Sequence, residues 1–305
     1  MIEEEIKITD IFKGLWLNKL KISLVTLIFA ISSIFFSLSI PNNYSSSALL
    51  VSAFDESNSL SKLNNQLGSL AAISGISLNT ESSSKVSIGI EMIKSFDFFV
   101  SLVEKYDFLV PLMASQNWDP RTMKLQLNSN IYDPVSNKWV RRVSFPKTLI
   151  PSYQEAHKEF LEKLSISENK QNGLIKISIN HVSPIIARDW VNWIVIEINE
   201  TTRQKAILKA ENSINYLKNE VNLTKFSDIR NDLNRLIESQ IEIIMLANAT
   251  PDYLFQIVES PIVSEFKAGP PRALICILGT IFGFVSSIVL SLIINISFRS
   301  NEINS

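Results

Sequence analysis

The chain has 305 residues, 46% of them hydrophobic and only 19% charged, with a mean hydropathy of +0.16. The charged share lies below the ~25% typical of soluble domains, so part of the chain is predicted to lie in lipid. Eight glycines disfavour a glycine-rich phosphate cradle, a net charge of −1 offers no general attraction to nucleic acid, and Cys276 with His157 and His181 is too few ligands for a zinc site.

Residues 22–40 (ISLVTLIFAISSIFFSLSI) contain no charge over 19 residues, and residues 273–294 repeat this over 22, the uncharged stretch running on to Phe298. About 20 apolar residues at 1.5 Å each cross ~30 Å of hydrocarbon, so both are read as membrane spans. A cleavable signal peptide has a shorter apolar core, of about 7–15 residues, and the first run exceeds it. Ser37 and Ser39 imitate a cleavage site, but Pro41 follows closely. Lys13, Lys19 and Lys21 precede the first span and Arg299 follows the second, which places both termini in the cytoplasm. Lys267 and Arg272 weaken that signal at the second span. The predicted layout is a cytoplasmic tail at 1–21, a span at 22–40, an outer domain at 41–272, a span at 273–298 and a cytoplasmic tail at 299–305. Neither tail is long enough to fold alone.

In the outer segment, 44–54 (YSSSALLVSAF) reads as a strand. Residues 55–85 read as a loop or, at 60–72, a short helix. Ile90, Ile93, Phe96, Val100 and Val103 recur at three-four spacing, predicting an amphipathic helix over 86–109 that Pro111 closes. Pro120, Pro134 and Pro146 punctuate 117–150, where two short strands or an irregular excursion both fit. Residues 151–166 predict a short helix, and 171–184 a half-buried strand with Ile175, Ile177 and Ile179 on one face.

From Pro184 to Thr250 there is no glycine and no further proline. Ser183 is placed to cap, Pro184 to occupy the first helical position, and Ile186, Trp190, Ile194 and Ile198 to share a face. Ile214, Leu217 and Val221 share another, and Ile229, Leu233, Leu236, Gln240 and Ile243 continue the spacing. A long helix over about 184–250 is predicted, with any kink at Asn219–Asp228; unbroken it would reach nearly ~100 Å. A strand follows over 252–263, then a stiff connector with Pro261, Pro270 and Pro271. The fold class expected is an α+β membrane protein: two spans flanking an outer domain with a small membrane-proximal sheet and a long extended helix.

The opening IKITDIFKGLWLNKLKI, the apolar span and YSSSALL resemble the start of Wzz-type chain-length determinants, the polysaccharide co-polymerases. ESPIVSEFKAGPPRALICILGTIFG is similar to their proline-rich segment and second span, and PSYQEA, GLIKISINHVSP and ARDWVNW to stretches between. The resemblance implies a bacterial inner-membrane protein that sets the modal length of a surface polysaccharide, usually lipopolysaccharide O-antigen. It also implies a ring-like homo-oligomer, often near eight subunits, acting with an integral-membrane polymerase on a growing lipid-linked glycan, without catalysis or cofactor. Some relatives carry a kinase after the second span; the absence of a G-x-x-x-x-G-K-[ST] loop keeps that activity from being carried over.

Gly279 and Gly283 form G-x-x-x-G, which lets helix backbones approach, and either the first span or a neighbouring protein suits as partner. Pro261, Pro270 and Pro271 either transmit geometry or simply end a strand and begin a span. Trp190 and Trp193 read as core or interface anchors rather than sugar platforms, grouped with Ile194, Leu233 and Leu236 on the long helix. Acidic pairs such as Glu3–Glu5 and Asp228–Asp232 lack a pocket, and no catalytic set emerges. An export component bridging towards the outer membrane, a sensor and a glycan-cleaving enzyme are the alternatives. The first is separated by loss of all surface polymer, the second lacks an output domain, and the third needs sugar release by purified protein. Whether glycan is measured along the surface or polymerases are gathered at a set ratio stays open.

Overall fold

A computed structural model describes Trp16, residues 18–53 and residues 79–303, with side chains from 85 to 293 in the longer segment. The short helix weighed at 60–72 lies outside the described residues. The chain divides into two units, one of residues 1–43 with 267–305 and one of residues 44–266.

The first unit is built on α1 (Lys19–Ser39) and α8 (Arg272–Ile303), with the short strand β9 (Lys267–Gly269) before α8. Lys19–Ser39 and Arg272–Ile293 are each long and apolar enough to cross a membrane. Their apolar side chains point outward on most faces, as a lipid-facing helix requires and a water-facing one does not tolerate.

The second unit is α+β. Its antiparallel sheet has the order β6–β7–β1–β8, formed by β6 (Leu164–Asn169), β7 (Leu174–His181), β1 (Asn43–Ser52) and β8 (Phe255–Glu259). The register Ala48↔Ile177 and Leu50↔Ile175 puts the buried faces of β1 and β7 side by side. Ile175, Ile177 and Ile179 are fully buried, and the polar residues between them face away. The short helix predicted over 151–166 overlaps the start of β6. The helix α5 (Tyr153–Lys163), capped by Ser152 on the Glu155 amide, instead stops at Lys163, and the chain pairs back on β7 through Leu164↔Ile179 and Ile166↔Ile177.

The helix predicted over 86–109 is two helices, α2 (Asn79–Lys94) and α3 (Phe96–Lys105). Ser95 separates them, because its hydroxyl accepts from the Phe98 amide and caps α3. Pro111 does not close the segment. It sits in the first turn of a short α4 (Leu109–Ala114), where its missing N–H is not needed. Two hairpins follow, β2–β3 (Ser115–Asp119, Lys124–Leu127) and β4–β5 (Tyr132–Asp133, Lys138–Trp139), so the excursion is paired strands as far as Trp139 and irregular over 140–150.

The glycine-free run also differs from a single rod. It forms α6 (Pro184–Leu223) and α7 (Ser227–Ala249), with Thr224–Phe226 extended between them. The break falls within the stretch predicted for it, and α7 packs back along α6. Only three residues join the two packed helices, so they run antiparallel as a helical hairpin. A ~100 Å projection is therefore replaced by a helix of about 60 Å with a shorter one folded on it.

Candidate functional surfaces

The two apolar helices meet through small side chains. A Cβ placed on Gly279 would lie 2.5 Å from Ser33 Cβ, and one on Gly283 would collide with Phe29 Cβ. The glycine pair thus serves the chain's own first apolar helix, closing the backbones to a distance no larger residue permits. One turn further along, Thr26 and Ser287 bring their hydroxyls to 3.5 Å, while Phe29 meets Phe282 edge-on with ring centroids 6.0 Å apart.

The first half of α6 is the anchor of the second unit. The Ser183 hydroxyl accepts from the Ile186 amide and Pro184 opens the helix, which fixes its start against the end of β7. Trp190, only 1% exposed, stacks on Phe108 with centroids 3.9 Å apart, and Ile194 is fully buried beside it. Trp193 is half-buried and lies flat on Tyr106 at 4.5 Å, so one face of its indole is already occupied. One turn on, Lys105 reaches the largely buried Glu197 at 2.6 Å, and this contact raises the lysine above its usual range. Asn199 closes the anchor: its amide donates to the Phe255 carbonyl and accepts from the amides of Leu254 and Phe255, tying α6 to the start of β8.

His181 ends β7 inside this body. Its Nδ1 accepts from the Ser183 amide at 3.0 Å, which leaves the proton on Nε2 to face the Pro111 carbonyl at 3.1 Å and the Ser115 hydroxyl at 3.2 Å. Burial pushes the ring down to about 4, outweighing the hydrogen bond to Pro111, so it is neutral near pH 7 and structural.

Beyond Asn199 the pattern changes. On α7, Leu233, Ile237, Gln240 and Ile244 are half-buried against α6, whereas Leu236 is 51% exposed. Leu236 is not a core residue, because a rotation of about 60° from Leu233 carries it past the face that α6 covers. Ile229, Leu236 and Ile243 recur every seven residues as an exposed apolar stripe.

Of the prolines, Pro261 is buried, and the neighbouring Ile262 carbonyl accepts from the Ser46 hydroxyl at 2.7 Å. Pro270 and Pro271 stand at the head of α8, where their carbonyls accept from the amides of Arg272 and Ile275.

The excursion after α4 carries a feature that sequence reading missed. Arg141 is buried and forms a two-pronged pair with Glu155, both contacts at 2.8 Å, while also donating to the carbonyls of Thr148 and Leu149. The guanidinium holds the Glu155 carboxyl below its usual range. This clamp fixes both ends of 141–150 and leaves Phe145 97% exposed at its bend. Arg141 and Glu155 lie fourteen residues apart on different elements, so no periodicity signals them. Among the described residues no group of three or more metal-ligating side chains comes together.

Two apolar helices bracketing an α+β body define the class: a membrane protein with one folded domain between its spans. Residues 4–105, from before α1 to the end of α3, match the model of the Wzz family, chain length determinant protein. No curated protein sequence matches the chain. Among solved structures, a full-length bacterial polysaccharide co-polymerase is similar over 96% of this chain and 99% of that one, at 12% identity and a TM-score of 0.42. A fragment of WzzB, a polysaccharide co-polymerase from Salmonella Typhimurium, is similar over 75% of this chain and 100% of that one, at 10% identity and a TM-score of 0.37.

Proposed function

We propose that the chain regulates the length of a surface polysaccharide, lipopolysaccharide O-antigen, as a non-catalytic scaffold in the bacterial inner membrane. Both termini lie in the cytoplasm and residues 41–272 in the periplasm. Several copies associate as a ring, and the assembly acts with an integral-membrane polymerase on lipid-linked glycan. The Wzz match supports the glycan assignment. The observation that carries the scaffold is the Ile229–Leu236–Ile243 stripe, an apolar helix face uncovered within one chain and spaced to seat another helix. Side-by-side packing of hairpins would remove it from water. The glycines of the span pair, Gly279 and Gly283, keep the membrane frame closed, and the prolines act as spacers.

Deleting the gene is expected to turn a banded lipopolysaccharide ladder into a random distribution of lengths. Complementation with the wild-type chain restores the bands, and complementation with Leu236→Asp does not. An unchanged ladder after deletion refutes the glycan assignment; full restoration by Leu236→Asp refutes the scaffold.

A further inference from the structure

The loop that the Arg141–Glu155 clamp closes is held away from the body. Every residue from 142 to 150 is exposed, Val143, Phe145, Leu149 and Ile150 among them. A flexible loop of this composition would lay its apolar groups against the nearest core. Here the buried guanidinium holds the Thr148 and Leu149 carbonyls, and the Lys147 amide donates to the Ser144 carbonyl across the bend, which keeps Phe145 at the apex. The loop is ordered before any partner arrives, so its ring can enter an apolar phase with little further loss of entropy.

Charge identifies the partner. Between Asp133 and Glu155 the chain has four basic residues and no acidic one. Both flanking carboxylates are engaged, Asp133 by the Val135 amide and the Ser136 hydroxyl, Glu155 by Arg141 and Lys147. Lys138 and Arg142 are exposed and form no ion pair with a described residue. An exposed aromatic tip among free cations matches an anionic lipid surface, where the ring enters the acyl boundary and the cations meet phosphate.

The chain also keeps this region near a bilayer. Tyr44 follows the last residue of α1 by five positions, which reach at most about 17 Å whichever way the two units are turned. Tyr44 pairs with His181, and the His181 ring meets the Pro111 carbonyl and the Ser115 hydroxyl, where the excursion of residues 115–150 leaves the body. The excursion therefore starts from the end of the sheet that is tied to a span.

We propose that the 142–150 loop docks on the surface of an anionic bilayer, with Phe145 in the acyl boundary and Lys138, Arg142 and Lys147 against headgroup phosphates. The contact uses neither the glycan nor the helical hairpin, so it stands or falls separately from the scaffold reading.

The test uses the full-length chain in nanodiscs of phosphatidylcholine, with or without phosphatidylglycerol, each doped with a lipid carrying a shallow doxyl quencher. Cys276→Ser removes the native thiol, and Ser144→Cys carries a nitrobenzoxadiazole fluorophore beside an intact Phe145. Quenching should be strong with phosphatidylglycerol and weak without it. Phe145→Ala should lower the docked-to-free ratio about tenfold or more, and Lys138→Gln and Arg142→Gln about fivefold each. All three side chains are exposed, so these variants leave the body folded. Equal quenching in the two lipid mixtures overturns the proposal, as does unchanged quenching in Phe145→Ala or in the two charge variants. A probe that lipid does not quench, but that an added anionic polysaccharide or a second copy of the chain shields, overturns it too.

Discussion

The two halves of α6 show one helix meeting two different demands. From Pro184 to Asn199 it is wrapped by the sheet, by α2 and α3 and by the start of β8, and Ala187, Trp190, Val191, Ile194, Val195 and Ile198 are all buried. Beyond Asn199 it packs with α7, and Leu208 and Tyr216 are exposed together with the α7 stripe. Apolar residues are present in both halves, but only the first half has a core of its own. An apolar helix surface of the second kind is stable in water only when another surface covers it. The anchor holds the core of the domain, and the hairpin is where the proposed scaffold would associate.

Perturbing the anchor should have the largest effect. Trp190→Ala removes an indole stacked on Phe108 and packed at an angle against His181 and should cost about 3–5 kcal/mol, read from urea unfolding of the full chain. Acid reaches the same place by titration. His181 holds its proton less tightly folded, at about 4, than unfolded, near 6.5, so its contribution is complete above pH 6.5. That stability declines as pH falls from 6.5 towards 4 and is flat below, a total loss of about 3 kcal/mol by linkage. His181→Gln should flatten this part of the stability–pH curve. At the point where the two halves of α6 meet, Asn199→Leu leaves two buried amides and a carbonyl of residues 254–255 without partners and should cost about 2–3 kcal/mol. If the two halves behave as one cooperative unit instead, Asn199→Leu will unfold α7 together with the core, visible as one transition in hydrogen exchange rather than two.

The anchor was legible in the sequence because each of its rules is local. Alternation in β7 placed Ile175, Ile177 and Ile179, and Ser183-Pro184 with three-four spacing placed the start of α6 and the burial of Trp190 and Ile194. Length and apolarity placed the two candidate spans. What stayed hidden depends on distant partners. β6 exists because β7 offers it an edge, and the Arg141–Glu155 clamp exists because 141–150 bends back over α5. The turn at Thr224–Phe226 lies in a stretch whose composition marked a weak helix, but composition does not say whether a weak point bends, breaks or folds back. Leu236 illustrates the same limit: spacing assigns it to an apolar face, and only the packing of α7 on α6 shows that this face is the uncovered one.

Leu236→Asp combined with Ile243→Asp gives the smallest expected effect on the stability of one chain and the sharpest contrast with Trp190→Ala. Both side chains are exposed, so replacing them removes little buried surface, and unfolding of the body should shift by no more than about 0.5 kcal/mol. Association should respond in the opposite way. Carboxylates at two successive positions of a seven-residue stripe must be desolvated wherever another helix covers them, and an uncompensated buried charge is among the costliest defects in packing. Sedimentation of the detergent-solubilised full chain should therefore show the double variant as smaller particles than the wild type, with an unchanged unfolding midpoint. A variant that loses stability without changing particle size would mean that the stripe is covered within the chain, and the contrast between the two halves of α6 would disappear.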